Sequence, residues 1–302
     1  MIKVDSLRVQ YGGFCAVEDI SFNVSEQEIF GIIGPNGAGK TSAIECIEGL
    51  RKPFSGKISV MGLDPWRERK RLHQVIGVQL QDTVYQDNAK VWEICHLFSA
   101  LYPHPANYHE LLDIMGLTEK KQAFVSTLSG GQKQRLSIVL ALIPKPKVVF
   151  LDELTTGLDP HARHQMWALL KELRKDGLTI VIVSHFMDEI EAICDTVAVM
   201  NSGRMLIRGT VAEVSSRFNL ADKISFTAPQ LQDGALAGLR HAISVTRDRD
   251  VITVLSKDNE GVNEVLSFLK ENEIAYSNLT VSRPGLEDVF LKLVEDSKVQ
   301  EG

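Results

Sequence analysis

The segment Gly34-Pro35-Asn36-Gly37-Ala38-Gly39-Lys40-Thr41, followed by Ser42, constrains this chain more than any other. It fits G-x-x-x-x-G-K-[ST] and lies between the apolar run Ile29–Ile33 and an apolar-periodic stretch of helical rhythm, the context that such a loop requires. Glycines let successive backbone N–H groups turn inward around phosphate oxygens, and the helix that follows adds free N–H groups and the positive end of its dipole. In such a loop Lys40 reaches the β- and γ-phosphates and the Thr41 hydroxyl ligates Mg²⁺. Other short β-branched runs, residues 148–151 and 178–183, have the look of strands buried on both faces. Between them Asp159-Pro160 reads as an N-cap with proline in the first turn. A helical pattern then runs through Met166, Leu169, Leu170 and Leu173 to Gly177. Strand and helix alternate, so most of the chain reads as α/β.

The pattern changes after about residue 218. Residues 223–228, 242–246 and 251–255 read as strands in close succession, and two amphipathic helices follow. One carries Val262, Val265, Leu266 and Leu269, the other Leu286, Val289, Phe290, Leu293 and Val294. These readings divide the chain into residues 1–218 and a small α+β domain, residues 219–302.

Composition narrows the partners. With 33 Lys+Arg against 39 Asp+Glu the net charge is −6, a poor balance for gripping duplex nucleic acid by bulk electrostatics, so any bound anion must be held locally. Cys15, Cys46, Cys95 and Cys194 form no CxxC pair, which argues against a zinc module or a disulfide framework and suits a reducing cytosol. The N-terminus lacks the apolar core of a signal peptide. The apolar runs are far shorter than the roughly 20 residues of a membrane-spanning helix.

Two more constellations carry chemistry. The run 148–151 ends in Asp152-Glu153, where Asp152 can hold the magnesium shell and Glu153 can polarise a water. Alone, such a pair would be a solvated strand end; beside a phosphate loop it becomes chemical. The turn Leu128-Ser129-Gly130-Gly131-Gln132, ahead of a helix-like stretch 133–143, is a second phosphate cradle. One loop already surrounds one side of a triphosphate, so the second is most useful if it closes over the nucleotide from another subunit. His161 and His164 share a helical face without a further ligand and read as surface residues.

In these residues the chain resembles the ATP-binding cassette (ABC) ATPases, whose signature is LSGGQ, from about residue 3 to about 218. Tyr11 matches the aromatic that stacks on adenine, and residues 34–41 match Walker A. Gln81 matches the Q-loop glutamine, with Gln79 as a nearby competitor. Ser129, Gly130, Gly131 and Gln132 match the signature, Asp152 and Glu153 close Walker B, Gly157-Leu158-Asp159 match the D-loop, and His185 matches the switch histidine. The resemblance implies a P-loop NTPase of ABC type, with a mixed-sheet core and a helical signature subdomain at about 82–145. It implies ATP and Mg²⁺ as the bound species, with Thr41, Gln81 and Asp152 around the metal. Glu153, His185 and Gln81 would be catalytic, and Tyr11, residues 34–42, the signature and Asp159 would contact ATP. It further implies a homo- or heterodimer of cassettes that drives a separate transmembrane permease at the cytoplasmic face of the membrane, docked near residues 82–97, with no nucleic-acid partner. The segment from Arg283 and Pro284 to Leu291 resembles the accessory domain of drug- and antibiotic-exporting cassettes of the daunorubicin-resistance type, which implies export. One departure stands out: Leu154 follows Glu153 where the family usually has proline, whose fixed φ would stiffen the D-loop. The rival from another class is a cassette acting on ribosomes or DNA. It fits poorly, because those carry tandem cassettes or a long coiled-coil insertion. A regulatory module that binds ATP without hydrolysing it is disfavoured by Glu153 and His185.

Overall fold

The computed structural model of the protein describes residues 1–79, 88–155, 158–216, 221–232, 234–258, 260–282 and 285–300, with the side chains of residue 216 and of those after 293 excepted. Two compact units result, Met1–Val211 and Ala212–Gly302; the sequence pattern changes a few residues later, at 218.

The first unit is built on a nine-stranded mixed sheet. Strands β1 (Ile2–Tyr11), β2 (Phe14–Val24) and β4 (Ser55–Val60) form an antiparallel arm. β3 (Ile29–Ile33), β5 (Ile76–Gln79), β6 (Val148–Asp152), β7 (Thr179–Ser184) and β8 (Thr196–Asn201) run parallel, and β9 (Arg204–Thr210) returns antiparallel beside β8. The order is β4-β1-β2-β9-β8-β3-β7-β6-β5. Every residue of β3 and β7 is buried, which explains why their sequences are apolar runs instead of alternating ones. Phe22 stacks on Phe30 at 5.2 Å in a core that also takes in Ile32, Phe150, Val181 and Val183.

Register then builds the site. Ile33 pairs with Ser184, and Asp152 pairs with Val183. The carboxyl ends of β3, β6 and β7 therefore lie side by side, and the residues that follow them, Gly34, Glu153 and His185, emerge at one rim. Parallel sheets bind ligands at that rim.

The connecting helices of this unit are α1 (Lys40–Ile47), α2 (Arg69–Leu72), α3 (Val91–Ser99), α4 (Tyr108–Ile114), α5 (Gly130–Leu142), α6 (Pro160–Lys175) and α7 (Met187–Ile193). α6 is framed as its sequence suggests. The Asp159 side chain accepts from Ala162 N at 3.0 Å, and the helix closes through left-handed Gly177, with Leu178 N donating to Leu173 O at 3.1 Å. Its buried face is Met166, Trp167 and Leu170. α5 begins at Gly130, ahead of the expected 133, because Ser129 caps it. A Lys/Arg-dense stretch at Arg67–Arg71 is partly neutralised by Asp64 on Arg67 at 3.7 Å and Glu68 on Arg71 at 2.5 Å.

After α8 (Val211–Ser216), the second unit has the antiparallel strands β10 (Asp222–Thr227), β11 (Ala242–Asp248), β12 (Val251–Ser256) and β13 (Ser277–Ser282), in the order β11-β12-β10-β13. α9 (Glu260–Glu271) packs Val265 and Leu269 on Ile224, Phe226, Ile252 and Val254. β13 has no counterpart in the sequence reading. Its residues are mostly exposed, so the strand comes from pairing with β10 and not from apolar alternation. In α10 (Leu286–Gln300), Leu286 and Val289 are buried, Phe290 and Leu293 are half-buried and Leu291 is exposed.

Candidate functional site

The loop after β3 must turn tightly against β2. Gly39 holds φ +93°, and a Cβ there would lie 2.3 Å from the Ala16 carbonyl oxygen. Only glycine meets both demands. Gly39→Ala should therefore abolish nucleotide binding and cost about 2 kcal/mol or more of stability, read by thermal melting and nucleotide titration. A parent-like melt with intact binding would contradict this account of the loop.

A cleft of about 260 Å³ opens beside the loop, lined by Tyr11, Phe14, residues 36–42, Asp152, Glu153, Val183 and Ser184. Lys40 Nζ donates to Gly34 O at 2.7 Å and Pro35 O at 2.9 Å, folded back over the loop's first residues. Burial lowers the Lys40 pKa, and Asp152 and Glu153 pull it back up. The Tyr11 hydroxyl lies 2.9 Å from Ser42 Oγ, and the Arg51 guanidinium sits 4.3 Å from the ring centroid. Arg51 is itself tied to Glu45 at 2.6 Å. The adenine-stacking candidate is thus braced by a cation that the sequence reading did not single out.

At the rim, Asp152 and Glu153 have different environments. Burial, with Glu153 nearby, pushes Asp152 up to about 6 against the opposing pull of Lys40. Such a carboxylate is ready for a cation. Thr41 and Asp152 place a hydroxyl and a carboxylate on the same cleft, hard oxygen donors of the kind that Mg²⁺ takes. Glu153 adopts a left-handed backbone at φ +49°, rare for a side-chain-bearing residue. It is fixed there by its N–H donating to Val183 O at 2.9 Å and by Leu154 and Thr155, both fully buried. Glu153 Oε1 ends 3.2 Å from His185 Nδ1. An acid and an imidazole in contact at the mouth of a phosphate loop can abstract a proton from a water and steer it. Leu154, in the place of the usual proline, is a core residue here.

The signature lies elsewhere. Ser129 Oγ accepts from Gln132 N at 3.3 Å, and Gln132 Oε1 accepts from Ser129 N at 3.1 Å, a reciprocal cap that shapes the start of α5. Ser129 and Gly130 are exposed, and a Cβ at Gly131 would meet Leu158 Cδ2 at 3.0 Å. Neither residues 129–132 nor Asp159 line the cleft. The Ala162 N–H holds the Asp159 carboxyl below its ordinary value.

Gln81 and Gly157 lie outside the described residues, as do Arg283 and Pro284. Gln79 is buried, with Nε2 donating to Asp152 O at 3.2 Å, so it ties β5 to the end of β6. His161 and His164 are exposed. The first lies 3.0 Å from Gln165 Nε2, and the second sits edge-on to Trp167 at 4.8 Å. Among the described residues no group of three or more His, Cys, Asp or Glu is arranged to hold a metal by itself, and all four cysteines are free.

The sequence profile of the family described as ABC transporter matches residues 17–156. The linearmycin resistance ATP-binding protein LnrL of Bacillus subtilis (strain 168) is 30% identical over 97% of this chain and 98% of its own length. The chain belongs to the ATP-binding cassette transporter ATPases. The Nod factor export ATP-binding protein I of Rhizobium meliloti is 35% identical to this ABC ATPase, over 97% of this chain and 87% of that protein. The methionine import ATP-binding protein MetN 2 of Shouchella clausii (strain KSM-K16) is 38% identical, but over 71% of this chain and 68% of that protein. Among solved structures, cbiO1 from Clostridium perfringens, part of the ABC transporter complex cbiONQ, superimposes with a TM-score of 0.63 at 31% identity, over 72% of this chain and 94% of that one. The P-loop ABC fold expected from the sequence is therefore the fold found. The protein is the ATP-binding, ATP-hydrolysing subunit of an ABC transporter, and the ribosomal alternative falls. Among the described residues no helix of this ABC ATPase is long and apolar enough to cross a membrane.

Proposed function

We propose that this ABC ATPase drives export through a separate membrane-spanning permease, by closing two cassettes head to tail over ATP. The observation that carries the proposal is the absence of residues 129–132 from the cleft that Lys40 and Glu153 line. A triphosphate in that cleft keeps one side open, and the exposed turn of a second cassette, an identical or a different chain, has the Gly130 and Gly131 N–H groups at the start of α5 to cover it. Tyr11 stacks on the purine, residues 34–42 wrap the phosphates, and Asp159 works beside the partner's nucleotide. Glu153 takes the proton of the attacking water while His185, 3.2 Å away, holds the γ-phosphate side. Thr41, Asp152 and Gln81 are the residues that would hold Mg²⁺, which supplies charge neutralisation on the phosphates. Hydrolysis removes the shared γ-phosphate and lets the pair reopen.

Export is supported by the two full-length relatives named above, one named for resistance and one for export, whereas the import relative aligns over a shorter part of the chain. The permease would dock near residues 82–97; the described part includes α3, where Leu97 is 61% exposed. The working place is then the cytoplasmic face of the membrane. An affinity pull-down of tagged Glu153→Gln protein with ATP from detergent-solubilised native membranes tests this. Stoichiometric recovery of a polytopic membrane protein is the expected result, and recovery of ribosomes or DNA with no membrane protein would overturn it.

A further inference from the structure

The two reactive side chains leave the ends of neighbouring strands, Glu153 after β6 and His185 after β7, and one buried acid reaches both ends. Glu189, on α7, is fully buried. Its Oε2 accepts a 2.5 Å hydrogen bond from Ser184 Oγ, which in turn accepts from the backbone N–H of Phe186 at 3.0 Å. Ser184 and Phe186 flank His185 in the chain. The Thr155 hydroxyl and the Trp167 indole N–H act on the same carboxylate: burial raises its pKa, and Ser184, Thr155 and Trp167 oppose that rise. Thr155 Oγ1, Trp167 Nε1 and Glu189 Oε1 are all buried, and none closes to full hydrogen-bond geometry with a described residue.

Thr155 stands two residues beyond Glu153. Its carbonyl accepts from Leu158 N at 3.1 Å, and Leu158 is the side chain that a Cβ at Gly131 would strike at 3.0 Å. Neighbouring groups thus lead from the signature turn through Leu158 and Thr155 towards Glu189, where the Thr155 hydroxyl stops short of a closed hydrogen bond, and on through the Ser184 hydrogen bond to the turn that carries His185. No ion pair among the described residues includes Glu189. A core that needed only filling would do better with an apolar residue, because an unpaired buried carboxylate is costly.

We propose that Glu189 is a positioning residue for ATP hydrolysis. Its carboxylate holds the Ser184 hydroxyl and faces the Thr155 hydroxyl and the Trp167 N–H, keeping the turn that carries His185 in register with Leu154 and Thr155 after Glu153. It touches no substrate. The inference rests on the reading of Glu153 and His185 as the hydrolytic pair.

The test is steady-state ATP hydrolysis by the full chain and by Glu189→Gln, Thr155→Val and their double variant, with Glu153→Gln as reference and thermal melting alongside. Glu189→Gln keeps the shape but brings two donors of its own against three donors, one of which, the indole, cannot accept. Its kcat should fall about tenfold or more with KM for ATP changed less than about threefold, as expected when geometry and not nucleotide affinity is lost. Thr155→Val should lower kcat in the same way, and the double variant should be no slower than the slower single, because both break one connection. A kcat within about twofold of the parent for Glu189→Gln, or effects that multiply in the double variant, would overturn the proposal. If Glu189→Gln does not fold, Thr155→Val decides alone: a lowered kcat at an unchanged melt supports the connection, and an unchanged kcat refutes it. Glu153→Gln separates the two levels. If it is inert while Glu189→Gln and Thr155→Val match the parent, only the role of Glu189 fails; if it turns ATP over like the parent, the reading beneath it fails.

Discussion

Glu153→Gln should bind ATP, hydrolyse it about 10²- to 10⁴-fold more slowly, the range that a positioned general base supplies, and accumulate as a closed dimer. The substitution keeps the size and the hydrogen-bonding oxygen of the side chain, so the left-handed turn at φ +49° and its tether to Val183 O are retained. What goes is the base. Electrostatics favours the other half of the phenotype. Glu153 is one cause of the raised pKa of Asp152, which stands at about 6, behind burial and against Lys40. Removing a neighbouring negative charge lowers that pKa, so Asp152 stays ionised further into the acid range, and the cleft repels a polyanionic nucleotide less. ATP should then bind the variant at least as tightly as the parent, with less loss of binding as pH falls through 6. Phosphate release and size-exclusion chromatography with ATP check both halves, and turnover within about tenfold of the parent would remove Glu153 from the role of base.

Much of this site is legible in the sequence because it is local. A phosphate loop needs a strand, glycines and a helix in immediate succession, and β3, Gly39 and α1 supply them in that order. The same holds for α6, whose N-cap, first-turn proline and closing glycine can all be read in place. Convergence is a different matter. Nothing in the sequence says that β3, β6 and β7 are neighbours in register; that arises from pairing between separate segments, Ile29 with Ile180 and Val148 with Thr179. Arg51 over Tyr11 also joins segments apart in the chain, and the Ser184–Glu189 hydrogen bond, though it spans only 5 residues, joins the end of β7 to α7 in the interior. In sequence Glu189 is one acid in the first turn of α7, beside Asp188, where acids are expected for the helix dipole alone. Its burial is a tertiary fact. Leu154 carries the same lesson: as a missing proline it suggests a looser D-loop, yet in the fold its side chain is fully buried, and a buried leucine anchors a segment by packing where proline does so by ring geometry.

Lys40→Ala should leave the fold intact and weaken ATP binding by about 30- to 10³-fold, or about 2–4 kcal/mol. The gain from Lys40 is a pair of charge-assisted hydrogen bonds to phosphate oxygens, each worth about 1.5–3 kcal/mol. Against that gain, Lys40 must give up its bonds to Gly34 O and Pro35 O, the loop contacts that it holds in this structure. The stability side has the opposite sign. Burial, the leading cause, holds the Lys40 pKa below that of a free lysine, so the charge costs folding free energy through the neutral range, and the cost fades only as pH rises through the lowered value. Removing the side chain ends that cost and leaves two carbonyls at a cleft that water can enter. The melting temperature of Lys40→Ala without nucleotide should therefore equal or exceed that of the parent, while the upward shift that ATP gives the parent should be nearly lost. Misfolding would lower both, so the pair of melts separates a binding defect from a structural one. An ATP-induced shift as large as the parent's would contradict the assignment of Lys40 to the phosphates.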